Sequence, residues 1–332
     1  MFFRKKYCFF APAWMMIVLC MAAFAGSAKA KDPPSALSLR AIYFPGAIFS
    51  SDSSSFSIPF SRAGNLLLIK AKADSTEGNF ILDTGCPGLV LNITYFRNYP
   101  VSTESSNDES VGMTGGTVIR QQIKIKDFHF GGIKDYNVMA DLANLGNIEN
   151  SKGVKVLGLV GIHFLKGCEL IIDYQQNLMF FHVMGGKQAR KYQNPLLADT
   201  STYHTIPFEL TDNRIIVKTT MEGKKVRFVI DCAAETNVLD SRLPEKVFEN
   251  LSITGRVSLV GVGNKKVEAV KGNLELFSIG NRHISDLPVL VTNLEKTCFA
   301  FGGCVDGVLG INELSVQKIG FNFTTYKIYL WK

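Results

Sequence analysis

Asp83-Thr84-Gly85 follows the apolar run Phe80-Ile81-Leu82, and 148 residues on (231 − 83) a degenerate copy, Asp231-Cys232-Ala233, follows Phe228-Val229-Ile230. Two carboxylates on matched elements are the raw material of a shared-proton acid/base pair. Like charges in contact cannot both ionise cheaply, so one proton is held between them and the pair titrates as a unit. The ionised partner can then draw a proton from a bound water, while the protonated partner donates to the carbonyl under attack. Taken alone, Asp-Thr-Gly is also a good β-turn, so the weight falls on context. An apolar strand leads into the first copy, Leu89-Val90-Leu91 leaves it, and Val238-Leu239 leaves the second.

The repetition extends well beyond the aspartates. Ile58-Pro59-Phe60 returns as Ile206-Pro207-Phe208, Asn65 as Asn213 and Lys70 as Lys218, all at the same offset. Leu159-Val160-Gly161-Ile162 is answered by Val308-Leu309-Gly310-Ile311 at 310 − 161 = 149. An offset that grows by one residue over a lobe is the mark of a duplicated unit with one small insertion.

The elements that must carry these loops read as short strands. Residues 66–71, 79–82, 118–130, 169–173 and 178–181, and in the second half 215–219, 226–230, 266–279, 316–322 and 327–331, are β-branched, aromatic or alternating, with Gly, Asn and Asp between them. Short helices are expected after Gly161 and Gly310 and over residues 244–250. The resulting division is residues 1–30 as a signal peptide, 31–55 as a loosely ordered start, 56–183 and 204–332 as the two lobes, and 184–203 as the linker.

Length and charge narrow the function classes. With 332 residues and 46% hydrophobic content the chain has material for two cores. Arg4, Lys5 and Lys6, an apolar stretch over residues 9–25 and Ala28-Lys29-Ala30 form an export signal, with a retained membrane anchor as the alternative. The expected location is the periplasm or the cell exterior. Removal of residues 1–30 takes away Arg4, Lys5, Lys6 and Lys29 and no acid, so the net charge falls from +7 to 7 − 4 = +3. That mild charge, without a basic stripe, argues against nucleic acid. The five histidines are scattered without ligand spacing, which argues against a metal site, and no dinucleotide or phosphate fingerprint calls for a cofactor. Cys298 and Cys304 are candidates for a small-loop disulfide, subject to the geometry a bridge needs.

On Phe80-Ile81-Leu82-Asp83-Thr84-Gly85, Leu159-Val160-Gly161 and their second-half counterparts, the chain resembles the pepsin and retropepsin superfamily of aspartic proteases, in particular bacterial exported proteins with two retropepsin-like halves in one chain. The resemblance covers about residues 56–332. It implies an all-β, bilobal fold with two barrel-like lobes and few short helices, a monomer with pseudo-twofold symmetry, and a peptide or protein substrate. It implies Asp83 and Asp231 as the catalytic pair, and Thr84 bonded to the opposite loop's backbone. Gly115 and Gly116 fall where the family carries a flap over the substrate, and Gly263 is their counterpart.

The second loop departs from the pattern. Cys232 is a weaker hydrogen-bonding group than threonine, and Ala233 lacks the backbone freedom expected of Gly85. Glu235 reads as a solvated loop acid, although facing the pair it would raise its pKa values. Cys86 and Cys232 read as small buried apolar residues, the sharper alternative being an oxidation switch. Two further readings follow from the departures: a catalytically silent peptide- or ligand-binding protein, and a site formed by first lobes of two molecules.

Overall fold

A computed structural model describes residues 48–49, 55–102, 109–111, 117–119, 121–184, 192–260, 266–295, 304–311, 314 and 317–332, without the side chains of 48–49, 109–111, 117–119, 259–260 and 266. The expected export segment, the candidate flap glycines Gly115, Gly116 and Gly263, and Cys298 lie outside these residues.

The two aspartates end equivalent strands. In the first half, Leu66–Ala73 turns back as Thr76–Leu82, pairing Leu68 with Ile81 and Ala73 with Thr76. On its other edge Thr76–Leu82 runs parallel to Gly158–Val160, with Leu159 opposite Ile81. The second half repeats both relations. Arg214–Met221 pairs antiparallel with Lys224–Asp231, which runs parallel to Gly307–Gly310, with Leu309 opposite Ile230. Each aspartate strand is therefore central in its sheet. Phe80-Ile81-Leu82 and Val229-Ile230 are buried on both faces, as expected of a strand with a parallel neighbour.

Among the described residues each lobe is built on an eight-stranded sheet, the first lobe adding a two-stranded hairpin, and a six-stranded sheet joins the lobes. The joining sheet runs Tyr203–Pro207, Lys327–Trp331, Lys318–Asn322, Cys168–Asp173, Leu178–Val183, Ser55–Pro59. Its middle ladder, with Ile171 opposite Gly320, brings the two halves together, and the strands on either side are sequence counterparts. The protein is thus the all-β, bilobal duplication that the repeat implies. The cores are copied too: Phe80 packs edge-on to Phe128 at 5.5 Å between ring centres, and their counterparts Phe228 and Phe277 do so at 5.6 Å.

Several local expectations need adjustment. The strand read over residues 118–130 is two, Thr117–Ile119 and Gln122–Phe130. A helix at Gly146–Lys152, closed by Gly153 in the left-handed conformation, was not anticipated, since Asn147-Ile148-Glu149-Asn150 carries no apolar periodicity. Ile162–Leu165 and Glu245–Phe248 form the expected short helices as single 3-10 turns. Within the linker, Pro195–Leu197 and Thr200–Thr202 are 3-10 turns whose first N–H groups are capped by Asn194 and Asp199. From the N-terminal segment, Ile48–Phe49 pairs with the start of Ile133–Ala143.

Candidate active site

The two aspartate loops meet where the lobes join. Asp83 is 1% exposed and Asp231 0%. Each carboxyl accepts a bond from the N–H two residues on, Gly85 N to Asp83 Oδ1 and Ala233 N to Asp231 Oδ1, both at 2.8 Å. Each loop also closes with the same turn, Cys86 N to Asp83 O and Ala234 N to Asp231 O, both at 3.2 Å.

Behind the carboxyls the loops interlock. Thr84 Oγ1 accepts from Cys232 N at 2.8 Å and donates to Ile230 O at 3.1 Å. Cys232 Sγ accepts from Thr84 N at 3.2 Å and donates to Leu82 O at 3.1 Å. The thiol fills both halves of the hydroxyl's role, and burial, with the nearby carboxylates, pushes its pKa up, so it keeps the proton it donates. The weaker group therefore preserves the symmetric lock.

The glycine-to-alanine departure also resolves differently from expectation. Neither Gly85 nor Ala233 adopts positive φ, so Ala233 bears no backbone penalty. What Gly85 provides is space: a Cβ there would lie 2.5 Å from Asp231 Oδ2 and 2.7 Å from its Cγ. The carboxyl of Asp231 rests on Gly85, and the loops are not interchangeable. Gly161 and Gly310 serve a similar purpose under the loops, where a Cβ would meet Cys86 O at 2.3 Å and Ala234 O at 2.5 Å.

The carboxyls are close enough to act on each other. Burial, then the charge of Asp231, drives the Asp83 pKa well above the ordinary carboxylate range. Burial raises Asp231 to about 6, held there by N–H groups of Ala233, Ala234 and Gly85 and by the Asp83 carboxyl. Asp231 Oδ2 is buried and meets no N–H or O–H of the protein. A bond between two carboxyls needs a proton on one of them, so a proton held by the pair would supply the donor this oxygen lacks.

Glu235 is neither a solvated acid nor a third member of the pair. It forms an ion pair with Lys152 across the lobes, 12% and 14% exposed respectively. Asn237, at the position of Leu89, is buried; its side chain accepts from Gly310 N at 2.9 Å and donates to Pro288 O at 2.9 Å. In the first lobe the equivalent Gly161 N donates to the backbone of Gly88, also at 2.9 Å.

The remaining expected residues are placed as follows. The strands flanking the flap glycines pair as hairpin stems, Glu109–Val111 with Thr117–Ile119 and Leu251–Val260 with Lys266–Ile279. Cys304 is disulfide-bonded. Cys86, Cys168 and Cys232 are free and buried, and burial raises the Cys86 thiol well above its usual pKa. Asn92 and Asn322 are buried, their side chains spent on capping bonds. The sequence reading passed over Arg214, which is fully buried. The available signal was its place as the counterpart of Leu66 at the head of a strand.

Residues 217–312 match the family model described as aspartyl protease. This stretch runs from the strand before Asp231 to just beyond Gly310, so it is the degenerate copy that carries the match. No curated protein sequence matches the chain. Among solved structures, Basic 7S globulin from soybean is similar, with a TM-score of 0.45 at 10% identity over 83% of this chain and 94% of that one.

Proposed function

We propose that this chain is an aspartic endopeptidase in which Asp83 and Asp231 together activate a water for attack on a peptide bond. The observation that carries the reading is the reciprocal lock of Thr84 and Cys232, which sets two buried carboxyls against each other on a local twofold. The aspartyl protease match over the second loop supports it independently.

In this mechanism the ionised member of the pair is the base that takes a proton from water, and the protonated member is the acid that donates to the carbonyl oxygen. The singly protonated pair is the working form. Because both carboxyls are raised, that form is shifted upward from the ordinary carboxylate range, and activity falls on the acid side as the ionised carboxyl protonates near 6. The substrate is a peptide or protein held in the cleft between lobes of one monomer. Export, with residues 1–30 removed, belongs to the same proposal and rests on the basic and apolar segments at its start; N-terminal sequencing of the mature protein checks it.

The deciding experiment is cleavage of a mixed peptide library from acidic to neutral pH by the wild type, Asp83→Asn and Asp231→Asn. Loss in both variants is expected. Retained, concentration-dependent cleavage by Asp231→Asn would point to paired first lobes from two molecules, and a folded wild type inert at every pH would point to a binding protein.

A further inference from the structure

Arg214 heads the strand Arg214–Met221, which is antiparallel to the aspartate strand with Ile215 opposite Ile230. One step further along this register brings Arg214 level with Asp231. In the first lobe Leu68 opposes Ile81, and two steps bring Leu66 level with Asp83. The duplication therefore places a buried leucine beside one aspartate and a buried arginine beside the other, both essentially without exposure.

An arginine in a water-free site keeps its charge only where anions support it. Burial depresses the Arg214 pKa to about 9, still cationic at neutral pH, and the carboxylates sustaining the charge are Asp212 first, then Asp231 and Asp83. Asp212 is only partly buried, in the turn before the strand. Among the described residues, the other ionisable groups named around the pair leave little competing charge. Cys86 and Cys232 have thiols pushed up by burial and stay neutral, Tyr174 beside Cys232 is likewise raised and neutral, and Glu235 is paired with Lys152. Asp141 of the first lobe also acts on Cys86.

We propose that Arg214 is the buried counter-ion of the aspartate pair, balancing the single negative charge of its half-protonated form and so keeping one carboxyl ionised where water cannot. Interaction between charges is mutual: if Asp231 and Asp83 favour the guanidinium, the guanidinium favours their ionised forms by the same amount. Arg214 is then a positioning residue for the proton. Its benefit to catalysis rests on the peptidase reading, whereas its effect on the titration of the pair does not.

The test is carboxyl titration of the full mature protein labelled with 13C at aspartate, assigned with Asp83→Asn and Asp231→Asn. Arg214→Leu, which copies the first lobe, should move the titration of the pair upward by a resolvable few tenths on the pH scale, while Arg214→Lys should restore most of it. An unchanged titration in folded Arg214→Leu overturns the proposal. Should that variant fail to fold, it is placed on Asp83→Asn/Asp231→Asn: recovery of folding there shows that the arginine answers the carboxylate charge, and failure there too overturns the proposal. Peptide cleavage is read alongside, so an inert wild type with an arginine-dependent titration would reject the peptidase reading and leave the counter-ion standing.

Discussion

The first aspartate loop keeps Asp-Thr-Gly and an apolar surround, while the second reads Asp-Cys-Ala and carries Arg214, Glu235 and Asn237 where the first has Leu66, Pro87 and Leu89. Their backbones do the same things to within 0.1 Å: the bond into each carboxyl and the turn that closes each loop have equal lengths. What diverges is the side-chain layer just outside. Strand pairing with a parallel neighbour on one edge and an antiparallel one on the other fixes the backbone, so the loop survives a change of residue type provided the lock and the contact with the opposite carboxyl survive. A symmetric frame then holds an asymmetric charge distribution, which is what an acid/base pair needs when its members have different tasks.

The sharpest way to break the symmetry is to neutralise either carboxyl. Asp83→Asn and Asp231→Asn should each lower kcat/KM on a cleavable peptide by about 10³-fold or more, since each removes one half of the proton transfer. The same variants should be more stable than the wild type at neutral pH. Both folded-state pKa values lie above the ordinary carboxylate value, so the folded protein holds these protons more tightly than the unfolded chain. That contribution is fully present below the unfolded carboxylate pKa and is lost as the pH rises through the folded values. Thermal unfolding of wild type and variants between pH 4 and pH 8, values chosen to bracket about 6, should therefore diverge with rising pH, the asparagine variants gaining. Parallel curves would refute the raised values.

Next in size is the exchange of the two third positions. Gly85→Ala drives a methyl into the Asp231 carboxyl and should cost about 10²-fold in kcat by displacing it, with about 1–3 kcal/mol of stability. Ala233→Gly, with no positive φ to relieve, should cost only about 0.5–1 kcal/mol through backbone entropy, measured by urea unfolding. Equal effects at the two positions would contradict the one-sided contact.

The lock offers a finer comparison. Cys232→Thr should be close to neutral, whereas Cys232→Ala leaves Thr84 N and Leu82 O buried without their partner and should cost about 1–3 kcal/mol by chemical denaturation. Thiol alkylation of the folded protein should be slow at both Cys86 and Cys232, because a buried, protonated thiol is a poor nucleophile; rapid loss of cleavage under a mild oxidant would revive the switch reading. The smallest effect is expected at Lys152 and Glu235. This largely buried ion pair should show a coupling of about 0.5–3 kcal/mol with no change in cleavage, to be read from a double-mutant cycle of Lys152→Ala and Glu235→Gln.

Much of this was legible in the chain itself. The offset of 148 residues between matched segments, the apolar runs before Asp83 and Asp231, and the apolar-apolar-Gly steps at residues 159–161 and 308–310 dictate a duplicated β fold with two carboxylates on equivalent loops. These are local patterns of period and residue type, and strand pairing follows from them. What only the tertiary structure decided is what touches what across the lobes: that Cys232 replaces a hydroxyl in both its bonds, that Gly85 is needed for room and not for φ, that Glu235 finds Lys152, and that Arg214 is buried beside the pair. The reason is physical. A residue's type states which bonds it can make, but burial and the charges around it belong to chain segments about 150 positions away, and one strand carries no record of which groups another will bring to it.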